Sequence, residues 1–182
     1  MLEALQEMDG ALLLAIQSIR LDVLNPLVED YTSMGNVGFL WIALSVVMLC
    51  HKSTRKAGVL SLMSMFLGMI CTNVVLKHLI ARPRPWLDVA GLVALVAEPD
   101  PNSFPSGHTC AAFAAGMIWM RTLPWHWARV VAVIAAVLMG LSRLYVGVHY
   151  PTDVIAGALV GSMCAWIVWT LYQRRSRNKG TL

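Results

Sequence analysis

Residues 57–76, AGVLSLMSMFLGMICTNVVL, hold 20 positions without a charged side chain. A helix needs about 20 predominantly apolar residues to cross the hydrocarbon core of a bilayer, where only internal partners can satisfy its backbone N–H and C=O groups. Residues 154–173, VIAGALVGSMCAWIVWTLYQ, repeat the pattern with another 20 uncharged positions. The 182-residue chain is 58% hydrophobic and 13% charged. Soluble domains usually carry about 25% charged residues, so two such runs in so short a chain indicate a membrane protein.

Working outward from 57–76, apolar segments recur at 31–50, 108–120 and 130–147. Gly35-Asn36-Val37-Gly38 interrupts the first of them near its start. Short basic turns at 51–56 and 121–129 join neighbouring segments. Residues 78–104 form the longest polar connection, and its Arg82-Pro83-Arg84-Pro85 run cannot continue a helix. In residues 1–30, Leu2, Leu5, Leu12, Ile16 and Ile19 share roughly one helical face. Glu3, Glu7, Asp9, Arg20, Asp22 and Pro26 interrupt it. Amphipathic helices at the membrane interface are the preferred reading, with one poorly apolar span as the alternative. The expected fold is an all-α integral membrane helical bundle of five to six spans with an N-terminal amphipathic helix. It forms a single domain over 1–182: an interfacial segment at 1–30, a transmembrane core at 31–173 and a basic tail at 174–182. The acidic start lacks the basic region of a cleavable signal peptide. The four cysteines, Cys50, Cys71, Cys110 and Cys164, are isolated in apolar surroundings and read as reduced core residues.

Charge placement orients the bundle. Cytoplasmic loops carry excess Lys and Arg. If the spans alternate, Lys52, Arg55, Lys56, Arg121, Arg129, Arg174, Arg175, Arg177 and Lys179 fall on one side, which is then cytoplasmic. The basic residues are dispersed between spans, a pattern that does not suggest nucleic acid. Lys77, Arg82, Arg84 and Arg143 fall on the outer side, against that rule. Charged groups at membrane depth are costly and usually functional.

Three clusters meet at this outer face, each from the end of a different span. The first is Lys77 with Arg84-Pro85. The second is Pro105-Ser106-Gly107-His108 at the start of an apolar helix. The third is Ser142-Arg143 with His149 and Asp153. Arginine forks suit phosphate oxygens, and lysine serves as a point charge. Ser106 and the Gly107 N–H add donors at a helix start. The set forms a cradle for a tetrahedral phosphoryl group. His149 and Asp153 are four apart, so their side chains can meet. A carboxylate on one ring nitrogen leaves the other as a nucleophile, and His108 can serve as general acid. A metal site on His108, His149 and Asp153 is the competing reading, disfavoured because three nearby cations would repel a divalent ion. Neither a metal nor another cofactor is expected.

These clusters resemble the signature of the type-2 phosphatidic acid phosphatase superfamily, K-x6-RP, PSGH and SR-x5-H-x3-D, met in full between residues 77 and 153. The resemblance implies a metal-independent phosphatase with a phosphohistidine intermediate. By residue it implies His149 as nucleophile, Asp153 as its orienting partner and His108 as general acid. Lys77, Arg84, Ser106, Gly107 and Arg143 would bind the phosphate. Arg82 lies outside the minimal pattern and is assigned to a second phosphate or the lipid headgroup. The small bacterial members this chain resembles dephosphorylate undecaprenyl diphosphate, phosphatidylglycerophosphate or related lipids. The expected partners are therefore a lipid phosphate or diphosphate and the surrounding membrane lipids, with the oligomeric state open. Two alternatives stand beside hydrolysis: a phosphotransferase using the same intermediate, and a lipid-binding or flipping protein with a vestigial site. The superfamily's soluble vanadium-dependent haloperoxidases share the anion cradle, but uninterrupted apolar spans argue against that branch.

Overall fold

The computed structural model describes residues 2–179, with the side chains of 4–178. Residue 1 and residues 180–182, the end of the expected basic tail, lie outside the described residues. The fold is all-helical, with one isolated β-bridge between Pro83 and Asn102. Helix α1 spans Leu2–Ser18 and α2 spans Asn25–Met34. A 3-10 turn, Asn36–Gly38, leads into α3, Phe39–Leu49. Helix α4, Arg55–Met69, runs on through a π-helical segment, Ile70–Leu76, into α5, Lys77–Ile80. The long loop that follows α5 contains α6, Pro85–Asp88. Helices α7, Gly107–Thr122, α8, His126–Tyr145, and α9, Pro151–Lys179, complete the chain.

Three helical stretches among the described residues are long and apolar enough to cross a membrane: Arg55–Ile80, His126–Tyr145 and Pro151–Asn178. A fourth arises if α2 and α3, bent by 52° at the Gly35–Gly38 break, count as one broken span. The sequence-based expectation was five to six. Helix α7, with 16 residues, rises only about 24 Å and falls short of a bilayer crossing by length. It sits at the centre of the bundle, packed on α4, α8 and α9. Ala112, Ala114, Ala115 and Ile118 are fully buried, so protein rather than lipid surrounds it.

Small residues allow that central packing. A Cβ at Gly157 would lie 2.5 Å from the Ser106 carbonyl oxygen, and one at Gly161 would lie 2.3 Å from that of Cys110. Helix α9 therefore approaches the α7 backbone where only glycine fits, the use expected of a G-x-x-x-G run. Near the N-terminus, Pro26 begins α2 rather than ending a helix, since proline is tolerated in a first turn. The first bent span thus starts at Asn25, earlier than the expected boundary near Tyr31. At the break, Val37 and Gly38 adopt φ of 54° and 74°. Helix α1 differs from an ordinary interfacial helix. Its Leu5, Met8 and Leu12 are exposed, whereas Asp9 is 2% exposed.

Candidate active site

Four local devices bring the sequence-predicted side chains together. The π-helical segment ahead of Lys77 shifts the register of the span, and Thr72 Oγ1 within it hydrogen-bonds back to the Gly68 carbonyl of α4. Such segments are frequent at functional sites. Arg84 caps the short α6, whose first residue is Pro85. Arg143 ends α8, and Gly147 at φ 77° turns the chain so that His149 arrives just before α9. His108 lies in the first turn of α7.

A cavity of about 510 Å³ lies between α3, the α4–α5 span and α7. Lys77, Arg84, Gly107, His108 and His149 line its polar end, and Ile42, Leu62, Met65, Phe66 and Met69 its apolar wall. Arg84 Nη1 donates to His149 Nε2 at 3.0 Å and to the Val148 carbonyl at 2.9 Å. Its Nε donates to the Asp100 carbonyl at 3.0 Å. Arg84 and Arg143 are each 1% exposed. Two carboxylates sit among these cations. Glu98 pairs with Arg143 and, at 3.5 Å, with Arg84 Nη2. Asp100 lies 2.5 Å from Lys77 Nζ. Burial pushes the Asp100 carboxyl up, but hydrogen bonds from Lys77 and the Asn102 N–H, with the charges of Lys77 and Arg84, outweigh it and hold it below its ordinary value.

The Arg84 contact assigns the proton on His149. A guanidinium has no acceptor, so His149 Nε2 presents its lone pair and Nδ1 carries the hydrogen. Nδ1 faces Asp153 Oδ2 at 3.5 Å, longer than a hydrogen bond. Asp153 lies in the first turn of α9, and its Oδ2 accepts the Tyr150 N–H at 2.9 Å, as in a capping box. The carboxylate is thus a helix cap and the neighbour of His149 at once. Burial pushes His149 well below the ordinary imidazole value, and Arg84 and Arg143 push it the same way. The ring is a neutral, cavity-facing base. Across the cavity, His108 Nε2 lies 3.0 Å from Asn36 Oδ1, an acceptor.

Four sequence-predicted residues do not line the cavity: Arg143, which meets it through Glu98, Asp153, which lies behind His149, and Ser106 and Arg82. Ser106 is fully buried as the cap of α7, where its Oγ accepts from Thr109 and its N–H bonds the Asp153 carbonyl at 3.0 Å. Arg82, assigned from sequence to a second phosphate or the headgroup, turns away from the cavity and pairs with Asp9 and Asp153. Sequence reasoning gave Glu98, Asp100 and Asn36 no place in the site. The only signal for Asn36 was the glycine pair around it. Among the described residues, no group of three His, Cys, Asp or Glu side chains is placed to hold a metal ion.

The chain is similar to known proteins over most of its length. The profile of the PAP2 superfamily matches residues 57–177. An undecaprenyl-diphosphatase of Sulfolobus acidocaldarius is 35% identical over 71% of this chain, and the match spans 62% of that protein's length. Phosphatidylglycerophosphatase B of Bacillus subtilis is 32% identical over 91% of this chain and 83% of its own. The crystal structure of a transmembrane PAP2-type phosphatidylglycerolphosphate phosphatase from Bacillus subtilis superposes with a TM-score of 0.76 at 30% identity, covering 94% of this chain and 87% of that one. With its helical bundle, the three clusters around one cavity and a profile match over most of its length, this chain belongs to the PAP2 superfamily.

Proposed function

We propose that this protein dephosphorylates a membrane lipid phosphate or diphosphate through a phosphohistidine on His149. The observation that carries this reading is the 3.0 Å contact from Arg84 Nη1 to His149 Nε2 inside the cavity that Lys77 also lines. It presents a lone pair where cations would hold a phosphoryl group. The Nε2 lone pair attacks phosphorus, and the bond from phosphorus to the lipid-side oxygen breaks. His108 gives its proton to the leaving oxygen and then takes one from the water that hydrolyses the phosphohistidine. Phosphate departs, and the Nε2 lone pair is restored. Lys77, Arg84 and Arg143, with the Gly107 N–H, stabilise the equatorial oxygens. Glu98 and Asp100 release these cations as substrate binds. Ser106 acts by fixing the start of α7.

The names of the Sulfolobus and Bacillus relatives support undecaprenyl diphosphate and phosphatidylglycerophosphate as candidate substrates, with phosphatidic acid a third. The apolar cavity wall suits the first carbons of a lipid tail while its phosphate reaches the polar end. The protein would sit in the plasma membrane with the site on the outer face and the C-terminus in the cytoplasm. Counting the bent pair makes four spans around α7, which would be a fifth, shorter helix at their centre, and α1 lies at the interface or forms a sixth. The test is phosphate release from a panel of lipid phosphates in detergent with no added metal. Release by the wild type and its loss in folded His149→Ala is the expected result. Full activity in that variant would sink the mechanism.

A further inference from the structure

Asp9 poses a problem that membrane anchoring does not solve. It is 2% exposed on a helix that buries Leu13 but leaves Leu5, Leu12 and Leu14 exposed. Its carboxylate accepts from Arg82 Nη2 at 2.9 Å, from the Thr152 N–H at 3.4 Å and from the Thr152 hydroxyl. The other arm of the same guanidinium, Nη1, donates to Thr152 Oγ1 at 2.7 Å and to Asp153 Oδ1 at 2.9 Å. The Arg82 guanidinium lies 3.7 Å over the Tyr150 ring. One partly buried cation therefore bridges two buried carboxylates from opposite ends of the chain. A buried ion pair is weak evidence for stability, since well-packed apolar residues commonly do as well. Stability alone does not explain why α1 buries an acid here.

We infer that Asp9 and Arg82 are positioning residues that hold Asp153 against His149 and set the charge His149 senses. This inference rests on the phosphatase reading above. Arg82 takes Oδ1 of Asp153 and the Tyr150 N–H takes Oδ2, so the carboxylate cannot rotate. The edge that remains faces His149 Nδ1. Asp9 draws on part of the Arg82 charge, which leaves Asp153 enough negative charge to support an imidazolium-like ring during transfer. In this arrangement α1 is part of the catalytic apparatus through a chain of hydrogen bonds, although it touches neither substrate nor His149.

Charge removal at the two positions has opposite consequences. The charged and titratable groups facing His149 are Arg84 from the outer loop, Arg143 from α8, His108 from α7, Lys77 from the α4–α5 span and Asp153 from α9. In Asp9→Asn, Arg82 acts on Asp153 alone, so an imidazolium at position 149 is less favoured. In Arg82→Gln, a cation is lost and the imidazolium is more favoured.

The experiment measures phosphate release from a polyprenyl diphosphate by the full-length protein in detergent, across pH, with orthovanadate as inhibitor. Asp9→Asn should lower kcat roughly tenfold or more, as loss of an outer partner of an oriented histidine does. KM and vanadate inhibition should stay within about twofold, and the acid limb of kcat/KM should move to lower pH. Arg82→Gln should move that limb to higher pH, and Asp9→Glu should recover part of kcat. If Arg82→Gln does not fold, Thr152→Val, which removes the bridging hydroxyl, should reproduce the kcat loss with KM unchanged. Wild-type turnover with Asp9→Asn unchanged in both kcat and acid limb overturns the inference alone. Equal loss of vanadate inhibition and turnover also overturns it, because that is a collapsed site. A wild type that releases no phosphate from any lipid overturns the phosphatase reading, and this inference with it.

Discussion

At the scale of single residues, the chemistry turns on which nitrogen of His149 is free. Arg84 can only donate, so the unprotonated nitrogen is Nε2, whose lone pair takes that hydrogen bond until a phosphoryl group displaces it. His149→Ala is expected to lose more than about 10³-fold in turnover while keeping its thermal midpoint. Phosphate release and circular-dichroism melting check the two halves of that statement. His108→Ala should lose about 10²–10⁴-fold on a lipid monophosphate, whose alkoxide leaving group needs a proton, and less on a nitrophenyl phosphate, whose leaving phenolate is a much weaker base. The pH profile follows from the same ring. Its value is lowered well below the ordinary 6.5, and attack needs the neutral form. The neutral form dominates above the lowered value and is lost only as pH falls through it. The acid limb of kcat/KM should therefore lie below pH 6.5, and a limb above that value would contradict the burial of His149. Glu98 carries a separate consequence. Its carboxylate bridges Arg84 and Arg143, where phosphate oxygens would sit. Glu98→Gln should tighten inhibition by inorganic phosphate roughly tenfold, the worth of one charged hydrogen bond, while lowering the melting point because two buried cations then face each other.

At the scale of elements, two helices are placed by what they lack. Helix α9 meets α7 through glycine, and a methyl group at position 161 would fall 2.3 Å from a carbonyl oxygen. Gly161→Ala should destabilise by about 1–3 kcal/mol, read as a lowered denaturation midpoint, because a backbone contact cannot yield as a side chain does. Activity should fall with it, since α9 carries Asp153. The first bent span is placed by a failure to stay helical. Val37 and Gly38 at positive φ break α2 from α3 and set Asn36 against His108 at 3.0 Å. Asn36→Ala should reduce kcat roughly fivefold with a smaller effect on KM, the loss of one hydrogen bond that holds a proton on the correct ring nitrogen.

At the scale of the whole molecule, the distribution of cations predicts a topology. Cys50, exposed beside the basic 51–56 turn, should resist a membrane-impermeant thiol reagent in intact cells and react once they are permeabilised. Val93→Cys, in the outer loop, should react without permeabilisation. The reverse pattern would invert the bundle. Much of this architecture was readable in advance. Residues 57–76 and 154–173 declare a membrane because uncharged length is a local property, tied to the thickness of a bilayer. The three clusters point to one shared site because residue type and spacing are also local, and the helix ends bring them near one another. Lys77, Arg84, Gly107, His108 and His149 accordingly line one cavity. What only the tertiary structure decided concerns pairs far apart in the chain. Nothing near Asp9 in sequence points to Arg82 or Thr152, and nothing near Glu98 points to Arg143. Arg82 was assigned to a second phosphate or the headgroup because an arginine in a loop looks free until its partner, 73 positions earlier, is packed against it. Buried charge has to find its counterion wherever the fold brings one. That choice depends on how α1 and the outer loop close over the helix ends, which no local pattern encodes.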